Sequence, residues 1–157
     1  MGYKMTMRIA ILGAGPAGLY LAYLLKRRRP DAEIAIVEQN PPDATFGFGV
    51  VFSDRALEFL REDDPETFAA LTPQMESWHD MTIVHRNESV VIDGIGFAAI
   101  GRLKLLQLLQ QRVRAAGVAP KFSRAVASLD EFDGADLVVG ADGVNSLVRR
   151  TFVDEFG

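Results

Sequence analysis

Apolar residues fall in short runs separated by polar and glycine-rich segments, and the runs alternate in period. Ile9-Ala10-Ile11-Leu12 has the length and continuity of a buried strand. Leu19, Leu21, Ala22, Leu24 and Leu25 then recur at spacings that fit one side of a helix. Ile34-Ala35-Ile36-Val37 reads as a second buried strand, ending at Glu38. Residues 9 to 37 therefore predict a strand–helix–strand unit. A loop rich in Pro and Gly follows over 40–50, then the short apolar run Val50-Val51-Phe52. Ser53 is placed to cap a helix through about Arg61, and a second short helix is predicted from Pro65 to Leu71. Strand patterns run from Trp78 to Val84 and from Ser89 to Ile92, with "RNES" as the turn between them. Leu103, Leu105, Leu106, Leu108, Leu109 and Val113 form an amphipathic helix that Gly117 ends. Two strands are expected at Lys121 to Phe122 and Ala125 to Leu129, and a last buried one at Asp136 to Val139. The succession predicts an α/β fold, a parallel sheet with helices and an additional small antiparallel β segment.

Chemistry enters between the first strand and helix, where Gly13, Gly15 and Gly18 form G-x-G-x-x-G. The first glycine permits the tight turn, the second lets backbone approach a pyrophosphate, and the third lets helix and strand pack closely. The helix N-terminus offers free N–H groups and a positive dipole end to an anion. Glu38 stands twenty positions beyond Gly18. That is the spacing of a carboxylate accepting hydrogen bonds from a ribose diol. With strand, helix, second strand and acidic residue in order, the unit is Rossmann-like. An export signal or a membrane anchor is the competing reading, since Lys4 and Arg8 precede an uncharged run from Ile9 to Leu25. Three glycines and a proline at its centre, and no A-x-A-like cleavage site, argue against a signal. The run also stops at Lys26-Arg27-Arg28-Arg29, short of the ~20 residues that span a bilayer.

Composition narrows the picture further. The 157 residues are one domain's worth of chain, 48% apolar and 24% charged, as in ordinary globular proteins. A net charge of −4 speaks against a general nucleic-acid binder, which needs a Lys/Arg surplus. The basic run Lys26 to Arg29 suits the C-terminal end of a helix. The absence of cysteine excludes disulfides, thiolate nucleophiles and zinc–cysteine sites, and fits a cytoplasmic protein. His79 and His85, the only histidines, lie in expected strand and are assigned ordinary structural roles, with no metal site. Ser53 has no evident histidine partner for a nucleophilic triad. Trp78 is expected to pack on the sheet.

The stretch "GADGVNSLVRR" adds the most distinctive signal. Leu137-Val138-Val139 ends in Gly140-Ala141-Asp142-Gly143, and Asn145 or Ser146 caps a helix carrying Val148, Arg149 and Arg150. Together with "GAGPAGL", Glu38 and Arg102 at the start of a long helix, this resembles the FAD domain of single-component flavoprotein aromatic hydroxylases. The resemblance covers essentially the whole chain. The segments "GFGVVFSD" and "GFAAIGRLKLLQLL" are most similar to monooxygenases acting on salicylyl-CoA and 2-aminobenzoyl-CoA. The resemblance implies FAD with its pyrophosphate on Gly13, Gly15, Pro16, Ala17 and Gly18 and its adenosine ribose on Glu38. It places Gly47 and Gly49 where backbone approaches the isoalloxazine, and Arg102 at the phosphates and ribityl chain. Val126 joins the cofactor-binding positions, and Asp142 and Gly143 match a segment credited with FAD and pyridine-nucleotide contacts. Plainer readings stand beside these. They are a solvated strand-end carboxylate for Glu38, a helix start for Arg102, a capping turn for Asp142 and a flexible loop for the Gly47–Gly49 pair.

The implied activity is that of a monooxygenase. NADH or NADPH reduces FAD, O2 is captured as a flavin C4a-hydroperoxide, and one oxygen enters an aromatic substrate, with aromatic acyl-CoA thioesters as candidates. No side-chain nucleophile is expected, and neither a nucleic acid nor a membrane is an expected partner. The chain departs from the pattern in one large respect. The G-D-A-like return, the substrate-binding sheet and the closing helix do not appear in it. It is therefore expected to be the N-terminal portion of the FAD-binding domain, inactive alone, with apolar surface that favours self-association. Two alternatives remain open at this point. One is an FAD- or NAD-binding module or flavoprotein reductase without hydroxylase activity; the other is a non-catalytic remnant acting through protein partners.

Overall fold

The computed structural model describes residues 6–94 and 96–156. They divide into two compact units, one with the described residues up to Ala44 and from Leu109 onward, the other Thr45–Leu108.

The first unit is built on strand β1 (Arg8–Leu12), helix α1 (Pro16–Arg28) and strand β2 (Glu33–Val37). β1 pairs in parallel with β2, Ile9 opposite Ile34 and Ile11 opposite Ile36. On its other side β1 pairs in parallel with β8 (Leu137–Gly140), Leu12 opposite Gly140. A central parallel strand is covered on both faces, which is why Ile9 through Leu12 are apolar without alternation and all buried. Ile11, Leu19 and Ile36 are fully buried. Each contributes on the order of 1.5–3 kcal/mol relative to exposure. Pro16 opens α1, where its missing N–H costs nothing, and Lys26, Arg27 and Arg28 occupy the last turn as the dipole favours. The buried face of α1 is Gly18, Leu19, Ala22 and Tyr23, whereas Leu21, Leu24 and Leu25 are half-buried. The expected stripe is thus rotated toward Tyr23, whose ring lies beneath the Arg112 guanidinium, 4.5 Å from its centroid.

Of the two strands expected between 121 and 129, only a trace remains. Lys121 makes a single parallel bridge with Val37, and residues 125–129 form no strand. Local side-chain hydrogen bonds explain the second failure. Ser128 Oγ accepts from Asp130 N, and Glu131 reaches back to accept from Ala127 N at 2.9 Å and Arg124 Nη2 at 2.8 Å. These bonds fold the segment into a short 3-10 turn at Leu129–Phe132 instead of a ladder. After β8 come α5 (Leu147–Thr151), capped by Ser146 Oγ accepting from Arg149 N, and α6 (Val153–Phe156). A Cβ at Gly140 would lie 2.8 Å from Val148 Cβ, so the bare glycine lets α5 pack on the strand end.

The second unit holds an antiparallel sheet of β3 (Gly49–Ser53), β7 (Phe97–Gly101) and β4 (Glu76–Trp78), with β7 in the middle. It also contains α2 (Asp54–Asp63) and α3 (Pro65–Leu71). Ser53 Oγ caps α2 through Ala56 N, as its position in the sequence indicates. β7 has no counterpart among the expected strands. Its run is bracketed by glycines and leads straight into a helix, and its pairing partners lie far away in sequence. The strand expected from Trp78 to Val84 is broken after Trp78. Trp78 stays with β7, its ring stacked on Phe97 at 6.0 Å, while β5 (Met81–His85) pairs with β6 (Glu88–Ile92). The turn of that hairpin is only Arg86-Asn87, both at positive φ, so Glu88 and Ser89 belong to the strand. Helix α4 (Arg102–Ala115) begins in this unit and passes into the first, burying Leu105, Leu106, Leu109 and Val113, and Gly117 follows at φ 86°. No helix among the described residues is long and apolar enough to cross a membrane.

Candidate nucleotide-binding site

The glycine turn sits where β1 gives way to α1, and its three glycines are held differently. Gly13 N donates to Val37 O at 2.8 Å, tying the turn to the end of β2. Its φ of 101° is left-handed, and a Cβ would come 2.6 Å from the Ala141 carbonyl carbon. A Cβ on Gly18 would overlap the Gly13 carbonyl oxygen. Gly15 is the exception, with extended backbone and nothing within 4 Å of where a Cβ would stand. It is the N-cap of α1, yet no side chain caps the helix and no acidic residue occupies the first turn. The first N–H groups of α1 lack intrahelical acceptors, so an anion-binding end faces open space at Gly15.

Three strand ends surround this turn. β1 lies between β2 and β8, so the chain departs to opposite sides of it, and the crevice beyond such a reversal is where open α/β sheets take ligands. From β2 comes Glu38, whose Oε2 accepts from Ala14 N at 2.9 Å while Oε1 accepts from Asn40 N at 2.9 Å and Asn40 Nδ2 at 2.7 Å. From β8 come Ala141, whose N–H donates to Leu12 O, and Asp142. Asp142 Oδ2 accepts from Leu147 N at 2.6 Å, while Oδ1 is buried with no hydrogen-bond partner among the described residues. Gly143 follows at φ 77°. Gly13, Gly15, Pro16, Ala17, Gly18, Glu38, Asp142 and Gly143 are thus assembled in one unit. Val126 is half-buried in the irregular segment before the 3-10 turn, two residues after Arg124, whose N–H donates to Glu38 O at 2.9 Å.

The remaining expected residues gather in the other unit. Gly49 pairs with Gly101, and a Cβ on it would stand 3.1 Å from Ile100 O. Gly47 has φ 100° and open surroundings, between the exposed Phe46 and Phe48. Arg102 N donates to Phe48 O at 3.1 Å, and its half-exposed guanidinium has no partner among the described residues. Two positions escaped the motif reading. Gly140 stands in the sequence only as part of "GADG", and Asn40 only as loop, where nothing in the residues around it marks it out.

Comparison with known proteins identifies similar chains. The family model described as lycopene cyclase protein matches residues 8–157. Salicyloyl-CoA 5-hydroxylase of a Streptomyces species is 48% identical over 151 residues, covering 96% of this chain and 29% of that protein. The 3-hydroxy-4-methyl-anthranilyl-(aryl-carrier protein) 5-monooxygenase of Streptosporangium sibiricum is 30% identical over 151 residues, covering 96% and 42%. A crystal structure of a 2-methyl-3-hydroxypyridine-5-carboxylic acid oxygenase variant matches with a TM-score of 0.76 at 27% identity, covering 98% and 43%. The chain spans less than half the length of each of these proteins.

Proposed function

The chain belongs to the lycopene cyclase protein family, and from that premise we propose that it forms the nucleotide-binding end of an FAD-dependent aromatic monooxygenase. The single observation that carries this reading is the open seat at Gly15, at the uncapped start of α1, in a turn whose Ala14 N–H donates to the Glu38 carboxylate. A dinucleotide needs that pair of features, N–H groups for the diphosphate and a carboxylate for the ribose.

These residues fit FAD. The N–H groups of the first turn of α1 bind the diphosphate, and Glu38 accepts from ribose hydroxyls. In the other unit, Arg102, permanently charged and with no partner among the described residues, is our candidate for a phosphate contact, and the Gly47–Gly49 backbone our candidate for the flavin ring. Asp142, with one oxygen unmatched among the described residues, takes a donor from FAD or the pyridine nucleotide. The flavin, when bound, supplies the oxygen-activating chemistry, with NADH or NADPH as reductant. The substrate class is an aromatic acid carried as a thioester, on the strength of two relatives named for a coenzyme A and a carrier-protein thioester. Residues 1–157 make up part of the FAD-binding domain, and the cysteine-free composition supports a cytoplasmic place. The exposed β5–β6 hairpin supports self-association of the isolated chain, which sedimentation measures directly.

The deciding experiment uses a polypeptide of the relatives' length that contains this sequence. Salicyloyl-CoA or 2-aminobenzoyl-CoA should stimulate NAD(P)H oxidation, with hydroxylated product formed in step. Oxidation that yields only hydrogen peroxide with every aromatic thioester tried would make it a flavoprotein reductase instead.

A further inference from the structure

Glu38 is a long side chain, yet its carboxylate is fully oriented. Its backbone is pinned on both sides, Glu38 N donating to Lys121 O at 2.8 Å and Arg124 N to Glu38 O at 2.9 Å. Asn40 is pinned likewise, its carbonyl accepting from Ser123 N at 3.0 Å. From that fixed position Asn40 gives two donors to the same carboxylate oxygen, Oε1, through its backbone N–H and its side-chain amide. A carboxylate offers about four lone-pair sites, two on each oxygen. Asn40 fills both on Oε1, and Ala14 N fills one on Oε2. The open site is on Oε2, the oxygen that also bonds the glycine turn.

We propose that Asn40 is a positioning residue for nucleotide recognition, holding Oε1 so that Oε2 presents its free lone pair to a ribose hydroxyl beside the glycine turn. The proposal rests on the reading of Glu38 as the ribose acceptor. It assigns to Asn40 an effect on hydroxyl recognition as distinct from an effect on phosphate binding. Loss of the amide in Asn40→Ala leaves the backbone donors of Asn40 and Ala14, one on each oxygen, so Glu38 is held less tightly without being released. In Asn40→Asp, nearly isosteric, a carboxylate faces Oε1 and drives the Glu38 side chain away.

The test is isothermal titration of the purified 157-residue chain with ADP and with 2′,3′-dideoxyadenosine diphosphate, which lacks both ribose hydroxyls. The readout is the ratio of the two affinities, which a merely structural role for Asn40 would not move. The unsubstituted chain should prefer ADP on the order of tenfold, the worth of one hydrogen bond to a charged acceptor. The ratio should fall to about threefold in Asn40→Ala and to about one in Asn40→Asp, with dideoxy affinity unchanged in both. Circular dichroism melts establish that the variants are folded, and Asn40→Asp, similar in size, serves if the alanine variant is not. A preserved preference for ADP in both variants overturns the role of Asn40 and leaves that of Glu38 intact. No preference in the unsubstituted chain, or no ADP binding at millimolar concentration, overturns the ribose reading of Glu38 and this inference with it.

Discussion

The three glycines of the turn should separate stability from binding when each is given a side chain. At Gly18 a methyl group would overlap the Gly13 carbonyl oxygen and stand 3.3 Å from Ala141 Cβ. Relief requires shifting α1, whose Leu19 and Ala22 are fully buried. Overpacking of this kind costs about 1–3 kcal/mol, and a backbone obstacle puts Gly18→Ala at the upper end. Gly13→Ala adds left-handed strain of ~1–2 kcal/mol to a similar overlap, so about 3–5 kcal/mol is expected. In a chain of this length 1 kcal/mol moves the melting temperature by roughly 2–4 °C, so both changes are visible in a thermal melt. Gly15 differs in kind. Its φ of −70° and ψ of 177° suit any residue, and no atom obstructs a side chain. Reduced freedom of the unfolded chain contributes about 0.4–1 kcal/mol in favour of Ala, offset by roughly 0.5–1.5 kcal/mol for replacing glycine at an N-cap. Gly15→Val should therefore leave stability within ~1 kcal/mol of the starting protein while filling the seat of the diphosphate. Loss of even two charge-assisted hydrogen bonds is worth ~3 kcal/mol or more, a decrease of at least about 100-fold in nucleotide affinity. Urea unfolding followed by circular dichroism and titration with ADP give the two axes. A Gly15→Val protein as unstable as Gly18→Ala, or one that binds ADP normally, would refute the division of labour.

Three further outcomes follow from individual side chains. Glu38→Ala should weaken FAD binding by ~1.5–3 kcal/mol per hydrogen bond lost, and equal affinity by fluorescence titration would remove Glu38 from the site. Asp142→Ala deletes the acceptor for Leu147 N, worth about 0.5–2 kcal/mol, but removes the unmatched Oδ1 with it, so the two effects should largely offset in a thermal melt. In a longer polypeptide with bound flavin it should also slow flavin reduction by NAD(P)H in stopped flow, and an unchanged rate would leave Asp142 as a cap alone. Glu131 has its pKa held below the usual carboxylate value, first by the Ala127 N–H and then by Arg124. Its contribution is present above the ordinary carboxylate value of the unfolded chain and lost as pH falls through the lower folded value. Urea midpoints of the unsubstituted protein and Glu131→Gln should thus differ at pH 7 and converge in acid; a gap that widened on acidification would contradict the assignment.

What could be read directly from the residues was local. The helix at Pro65–Leu71, the Ser53 cap, the stop at Gly117 and the strand–helix–strand frame of the glycine turn depend on neighbours a few positions apart. What could not be read depends on distant pairing or on competition. β7 owes its existence to β3 and β4, and nothing in "FAAIG" names those partners. Residues 125–129 have strand-like composition, but the Ser128 and Glu131 side chains claim the backbone first. Asn40 was invisible for a related reason. An amide in a loop rich in Pro and Gly carries no signal until the Glu38 carboxylate is seen turned back toward it.

Asp142 shows why two readings of one residue need not compete. As a capping turn it should bond the start of the following helix, and Oδ2 does so at Leu147 N. As a ligand residue it should keep an acceptor in reserve, and Oδ1 is buried with no donor among the described residues. Leaving such an atom unmatched costs on the order of 1–3 kcal/mol or more for a charged group. The cap fixes the orientation of the carboxylate, and that orientation is what strands the second oxygen at the end of β8. On our proposal that Asp142 meets the nucleotide, a donor that reached Oδ1 would recover the cost on binding, and the capping bond would keep the acceptor in place to receive it.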